Sequence, residues 1–571
     1  MKNNKKILPA ALFFLLIISG NIFAQDAELE LVIDASSATK PKPQVFNPGV
    51  DLGGRGFSRD SAWPGELAAQ ETINAWSKEI GFGGVNRIQY NLWEISDQKK
   101  ISDSYEQNIK KISDAGGIVI LNIFGMPKGM GRVLDKRSMP KNPGAFKEHI
   151  KGIIRDLSCN KKYNIWYEVW SAPDLETFFI GRQEEYLILY RIFAEAVHEL
   201  EKETKTNIPL GGPSVSAWFA NTENNTVATP ERSLVYELIK FCYRYKLPLD
   251  FISWHAYSSN AQPELAGTIY NKNPVQLIRN WLKYFGFSQD TPIIIDEWNF
   301  DLNKNMAVER SVRAFIAASF IPARLDKMNA AGIDRQVYFA LEDFQNNKEN
   351  VDRNIGVFSF DSESSSYDAK PKPAFNVFKM LKMLGADSYA LNFSDPFVGV
   401  IATKSEDALK ILIYYYIDPL AADSYMADNI SSLNSDERGI IVAMVKSGQL
   451  QNILLGQDDI TALHTTNRIK AFLKAAKDAL DLAKKAMDSS RKLKLNIRGL
   501  KDNYSYERYT VDSSCSSNCD FSPKEEKELP AADILNENLT LNPYSVHLII
   551  LNKKPQPQAV QAAQEQPATP Q

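Results

Sequence analysis

The sequence predicts an α/β chain, a (β/α)₈ TIM barrel followed by a β-sandwich, and three observations carry that prediction. From about residue 45 to 385, short apolar runs alternate with longer helical patterns, as in βα units on a parallel sheet. There are eight such runs over roughly 340 residues, the size of a closed eight-fold barrel with insertions. After Gly385 the pattern changes to strands separated by polar turns.

In chain order, residues 1–24 come first. Lys2, Lys5 and Lys6 precede an apolar run from Ile7 to Ile18, then small residues and Ala24. This is the layout of a secretory signal peptide, too short for a comfortable membrane span. The expected location is therefore secreted or periplasmic, with no membrane contact after cleavage. The barrel strands are expected at Val45–Gly53, Gly84–Tyr90, Ile118–Phe124, Ile165–Trp170, Ile208–Gly212, Phe251–Trp254, Pro292–Glu297 and Gln336–Ala340. A doubly wound open sheet is disfavoured, because no Gly-x-Gly-x-x-Gly or Gly-Lys-Ser/Thr loop joins a strand to a helix.

The sandwich is expected over residues 386–552. Its strands are Gly399–Thr403, Leu409–Tyr416, Gly439–Val445, Lys492–Ile497, Tyr504–Val511 and Tyr544–Leu551. A helical insertion near 466–490 is marked by Ile469, Phe472, Leu473, Ala476, Leu480, Ala483 and Met487 at 3.6-residue spacing. Residues 553–571 are Pro, Gln and Ala without periodicity, and are expected to be disordered.

Composition narrows the function. With 66 basic and 69 acidic residues the net charge is −3, so no global field favours nucleic acid or an anionic membrane. Nine Trp and 23 Tyr suit a sugar binder, though large cores alone use that many. Of the four cysteines, Cys515 and Cys519 are spaced to close a small loop; no metal-site spacing occurs and no cofactor is expected.

In a (β/α)₈ barrel the active site gathers at the C-terminal strand ends. Strand seven ends Ile293-Ile294-Ile295-Asp296-Glu297-Trp298-Asn299. Alternation is expected to turn Ile293, Ile295 and Glu297 inward and Asp296 outward. A fixed carboxylate beside a stacking ring and an amide is what a glycosidic nucleophile requires. A strand-end carboxylate that caps a helix or pairs with an Arg would look the same from sequence. Strand four reads Tyr167-Glu168-Val169-Trp170-Ser171-Ala172-Pro173-Asp174-Leu175.

Here the chain resembles glycoside hydrolase family 39. In that family and its clan, strand four ends Trp-Asn-Glu-Pro-Asn and the Glu is the general acid/base. The motif is present, but Ser171 stands for the Asn and Ala172 for the Glu. Asn86-Arg87-Ile88 resembles the strand-two end whose Arg supports the nucleophile. Met126-Pro127-Lys128, Gly211-Gly212-Pro213 and Asp250-Phe251-Ile252-Ser253-Trp254-His255-Ala256-Tyr257 match the ends of strands three, five and six. Glu297-Trp298-Asn299 corresponds to the nucleophile motif, and Lys372-Pro373-Ala374-Phe375-Asn376 to the exit into the sandwich. The resemblance covers about residues 30–552. It implies that residues 25–44, through Leu29–Ser37, add a strand to the sandwich.

The resemblance implies Glu297 as nucleophile and Arg87, Ser171, His255, Tyr257, Trp298, Asn299 and Asp343 as substrate contacts, with Ala172 marking a missing acid/base. Trp63 and Trp218 are further stacking candidates. A retaining glycosidase needs a second carboxyl ~5–5.5 Å from the first. Glu168 lies four residues, roughly 13 Å, deeper and cannot serve. Asp174 and Glu176, on the following loop, are the candidates for a relocated acid. Two readings follow: a retaining glycosidase on a β-linked glycan with an impaired or relocated acid, or a degenerate protein that binds polysaccharide.

Overall fold

The computed structural model describes residues 28–54, 67–93, 102–220, 229–265, 273–346, 351–360, 369–516 and 518–554. The expected signal peptide and C-terminal tail fall outside these residues, apart from Lys553 and Lys554.

Seven parallel strands lie side by side in sequence order: Val85–Asn91, Ile118–Phe124, Ile165–Val169, Leu210–Val215, Phe251–Tyr257, Ile293–Asn299 and Arg335–Tyr338. The eighth position is filled by a short extended segment rather than the long strand expected at Val45–Gly53. Val50 bridges Tyr338 on one side and Asp51 bridges Arg87 on the other, which closes the ring. Pro43 and Pro48 explain the shortness: neither donates an N–H to a ladder, and Gln44–Phe46 between them is a 3₁₀ turn. The chain therefore forms the predicted (β/α)₈ barrel.

Val85, Ile120, Phe251, Ile294 and Val337 pack together as the floor of the barrel interior. The opposite faces of the same strands pack on the helices. Among them, Gln183–Thr204 buries Leu189, Tyr190, Phe193 and Val197.

Beyond the barrel are a seven-stranded and a three-stranded sheet. The larger runs Glu525–Leu529, Tyr504–Val511, Val546–Lys553, Ala408–Tyr415, Val398–Ser405, Asp387–Tyr389 and Thr39–Pro41. In the smaller, Leu29–Asp34 pairs in parallel with Arg491–Leu500, which pairs antiparallel with Ala532–Leu541. The segment before the barrel thus supplies strands to both sheets. Cys515 and Cys519 are bridged.

The helical insertion is larger than the sequence pattern indicated. It begins at Ala421 and holds four α-helices, Ala421–Asn429, Ser435–Ser447, Gln449–Leu454 and Asn467–Met487. Gly439–Val445, expected as a strand, lies within the second. Asn434 and Glu437 form a reciprocal cap at its start, and Gly448 ends it in the left-handed region. These local signals outweigh the β-branched content of Ile440-Ile441-Val442. The helices share a small core around Met426, Ile441, Met444, Ile453, Phe472 and Leu473. Full burial of a Phe or Leu in it contributes about 1.5–3 kcal/mol.

Candidate active site

Val85 faces the barrel floor, so period-two alternation along its strand also sends Arg87 and Gln89 inward. Arg87 is fully buried and uses its fork of donors in four directions. Nε donates to Glu168 at 2.9 Å, Nη1 to Glu297 at 2.5 Å and Asp51 at 3.3 Å, and Nη2 to Ser214 at 3.1 Å. Asp296 lies 3.8 Å from Nη2. One cation thus binds together the ends of strands one, two, four, five and seven.

Glu297 is held from three sides. Besides Arg87, it accepts from Gln89 Nε2 at 3.1 Å and from the Tyr257 hydroxyl at 2.7 Å. His255 Nδ1 lies 3.4 Å from it. Glu297 and His255 each retain 6% exposure, on the side of the strand ends. A carboxylate fixed by a guanidinium, an amide and a phenol has one orientation, as an attacking group requires.

Strand seven departs from simple alternation. Ile294 faces the barrel floor, so Asp296 is inward, where the alternation argument had placed it outward. Its Oδ2 accepts from Ser214 at 2.5 Å and lies 3.6 Å from His255 Nε2. Glu297 also faces inward because strand seven carries one extra residue relative to both neighbours. Trp254 pairs with Ile295 but His255 with Glu297; Gln336 pairs with Ile295 but Tyr338 with Trp298. A bulge of this kind re-aims a side chain.

Four carboxyl groups around one guanidinium cannot all stay ionised. Burial pushes Asp296 well above the ordinary range, reinforced by the charge of Glu168. For Glu168, burial is the largest influence and acts upward, but Arg87, the hydrogen bonds with Asp296 and Ser253 and the nearby His255 together leave the group below its usual value. Of these two neighbours, Asp296 is the one pushed toward its protonated form. Burial also raises Asp51 to about 6, and raises Glu297 against the opposing pull of Arg87 and Tyr257. Burial lowers His255 to about 3, with Arg87 adding to the effect, so its ring is neutral near pH 7.

At the end of strand four, Ser171 and Ala172 are buried, at 1% and 2% exposure. The Ala172 N–H donates to Ser214 O at 2.8 Å, which brings this turn beside strand five. Asp174 is committed to Ser216, accepting from its backbone N at 2.9 Å and from its hydroxyl. Glu176 is exposed.

Three of the expected contacts are engaged elsewhere. Trp298 is fully buried, donates Nε1 to Gln336 at 2.6 Å and packs on Tyr338 and Phe320. Asn299 donates to the carbonyls of Phe339 and Ile355 and accepts from the Tyr338 hydroxyl. Asp343 pairs with Lys372 at 2.5 Å and accepts from Gly356 N at 2.7 Å. The bulge explains the first, since Trp298 follows the inward Glu297 and is turned into the wall; Asn299 is taken up by the carbonyls and the phenol beside it. Trp218 is buried against Phe219, and Trp63 lies outside the described residues.

Sequence reasoning missed Asp51, Gln89 and Ser214. Period two from Arg87 would have found Gln89. Asp51 and Ser214 lie on strands whose irregular backbone hides their register.

The family model described as Glycosyl hydrolases family 39 matches residues 133–431, just over half of the chain. A β-xylosidase of Caldicellulosiruptor saccharolyticus is 24% identical over 306 residues, 51% of this chain and 56% of that protein. The chain thus spans about half the length of the curated relatives it matches. Among solved structures, a glucosidase from Croceicoccus marinus aligns with TM-score 0.62 at 14% identity, covering 93% of this chain and all of that one. A monomeric β-xylosidase from Caulobacter crescentus aligns with TM-score 0.60 at 15% identity, covering 92% and 99%. These likenesses share the fold found here, and the matched residues include the strand-four turn and the Glu297 strand. The chain belongs to glycosyl hydrolase family 39.

Proposed function

We propose that this chain is an exported protein that binds a β-linked glycan at the barrel mouth, with Glu297 placed as the nucleophile of a retaining mechanism. The observation that carries the reading is the triple fixation of Glu297 by Arg87, Gln89 and Tyr257 at the strand ends. Its carboxylate oxygen would attack the anomeric carbon, the bond to the leaving oxygen would break, and that oxygen would take the electron pair.

Ala172 stands at the strand-four position that supplies the proton in the family motif, and a methyl group supplies none. General acid/base help is worth on the order of 10²–10⁴-fold, most for poor leaving groups. Asp174 does not readily replace it, because both its oxygens are bound to Ser216. The activity this supports is slow glycosyl transfer from activated substrates; polysaccharide binding without efficient turnover is the reading that Ala172 favours as a second.

The names of the relatives suggest β-xylosides and β-glucosides as first probes. Purified protein is to be assayed on a series of aryl β-xylosides and β-glucosides of graded leaving-group acidity, with and without azide. The expected result is turnover of nitrophenyl substrates only, accelerated by azide, which attacks the glycosyl intermediate without a base. No turnover of any aryl glycoside would leave the binding reading. Efficient hydrolysis of unactivated glycans, lost in Asp174→Asn, would show that the acid was relocated.

A further inference from the structure

A cavity of about 270 Å³ lies where four parts of the chain meet. These are the loop leaving barrel strand six, the barrel helix Ala314–Ala331 through Ala323 and Lys327, the sandwich strands around Phe397 and Tyr414, and the first helix of the insertion. No member of the Arg87 cluster lines it. It nevertheless adjoins the mouth through the chain, for Asn260 follows three residues after Tyr257, the phenol that holds Glu297. Asn260 Nδ2 also fastens the insertion to this loop, donating to both oxygens of Asp428 at 3.1 and 2.9 Å.

The lining is of two kinds. Phe397, Tyr414 and Tyr425 give it aromatic surface, and Asn260, Asp418 and Asp428 give it acceptors and an amide. Asp418 is held by Leu420 N at 2.9 Å and by the Ser424 hydroxyl, Asp428 accepts from the single amide of Asn260, and Lys327 adds an ammonium to the lining. Burial raises Asp418, and raises Asp428 to about 6, where the neighbouring charges acting on it are carboxylates, Asp418 and Glu264. A ligand that offers hydroxyl donors on its edge and an apolar face would satisfy both kinds of lining at once. The volume, just under the ~300 Å³ at which small-molecule pockets begin, suits one sugar ring better than a long chain segment.

We propose that this cavity is a second glycan-binding site, which takes a neutral pyranose unit by packing on Tyr425 and Phe397 and by hydroxyl donation to Asp428. The proposal rests on the reading of the protein as glycan-binding, but not on Glu297 being active. It gives the insertion a task, because the helix Ala421–Asn429 forms one wall of the cavity.

The test uses the full chain carrying Glu297→Gln, so that no probe is consumed. Hexasaccharides of β-linked xylose, glucose, mannose and N-acetylglucosamine are titrated calorimetrically. At least one is expected to bind, and Tyr425→Leu and Ala421→Trp, which trim and fill the cavity respectively, are each expected to weaken it tenfold or more. The same two changes in the Glu297 background should leave nitrophenyl-glycoside turnover unchanged. Absence of binding by all four probes, or binding indifferent to both cavity variants, would overturn the proposal. So would calcium binding abolished by Asp428→Ala without any glycan binding. A catalytically silent protein whose hexasaccharide binding still depends on Tyr425 would overturn the nucleophile reading alone.

Discussion

The ends of barrel strands four and seven differ in what they offer the mouth. Strand seven ends in Glu297, held by a guanidinium, an amide and a phenol, with Asp296 drawn into the same cluster. Strand four ends in Ser171 and Ala172, buried and joined to strand five by a backbone hydrogen bond. Yet strand four just before that turn is as firmly built as strand seven: Glu168 accepts from Arg87, from Asn122 at 2.8 Å and from Ser253 at 2.7 Å. On the reading proposed above, strand seven keeps the framework that would position a nucleophile, while Ala172 puts a methyl where the family motif has a proton donor. Positioning and proton transfer are thus separable parts of such a site.

The largest expected effect tests strand seven. Glu297→Ala should abolish aryl-glycoside turnover by ~10⁴-fold or more, as loss of a nucleophile typically does, with the melting temperature little changed. A residual rate equal to wild type would remove Glu297 from the chemistry.

The reverse experiment tests strand four. Ala172→Glu with Ser171→Asn should raise turnover of poorly activated substrates by about 10²–10⁴-fold. No gain, in a protein that still turns over nitrophenyl substrates, would mean the turn no longer presents residue 172 to the substrate.

A third change breaks what the two strands share. Arg87→Met leaves several buried carboxyls without their cation and should cost about 3–5 kcal/mol of stability, read from denaturant midpoints. A cost under about 1 kcal/mol would show that those carboxyls are already neutral.

The pH dependence sharpens the picture. Glu297 must be ionised to attack and is raised by burial, so turnover of nitrophenyl substrates should climb with pH through a value above 4.5. Asp296 is raised in the folded state, so its contribution to stability is present below the unfolded pKa and is lost as pH climbs toward its folded value. Asp296→Asn should therefore flatten the fall in melting temperature as pH climbs above the ordinary carboxyl value of 3.8. An equally steep fall in the variant would place the proton elsewhere.

The smallest expected effect concerns a residue outside the cluster. Asp343→Asn weakens the pair with Lys372 and should cost about 1–3 kcal/mol while leaving KM unchanged. A large KM effect would restore Asp343 to the sugar-binding surface.

Much of this molecule was legible in the sequence because its signals are local. Hydrophobic periodicity marks seven of the barrel strands and the Asn467–Met487 helix, and the motifs around Arg87, His255, Tyr257 and Glu297 name the residues that converge. The remainder depends on how strands lie beside one another. A single extra residue in strand seven turns Glu297 inward alongside Asp296 and sends Trp298 into the wall, and alternation read along one strand cannot reveal that its neighbours lack the residue. Likewise the pairing of Asp343 with Lys372, the Arg87 fork across strand ends and the cavity under Asn260 join residues far apart in the chain. The sequence by itself determined which side chains were available and which elements would carry them. Tertiary structure decided which faced the barrel interior and which carboxyl kept its proton, because register and desolvation are properties of neighbours brought together only by folding.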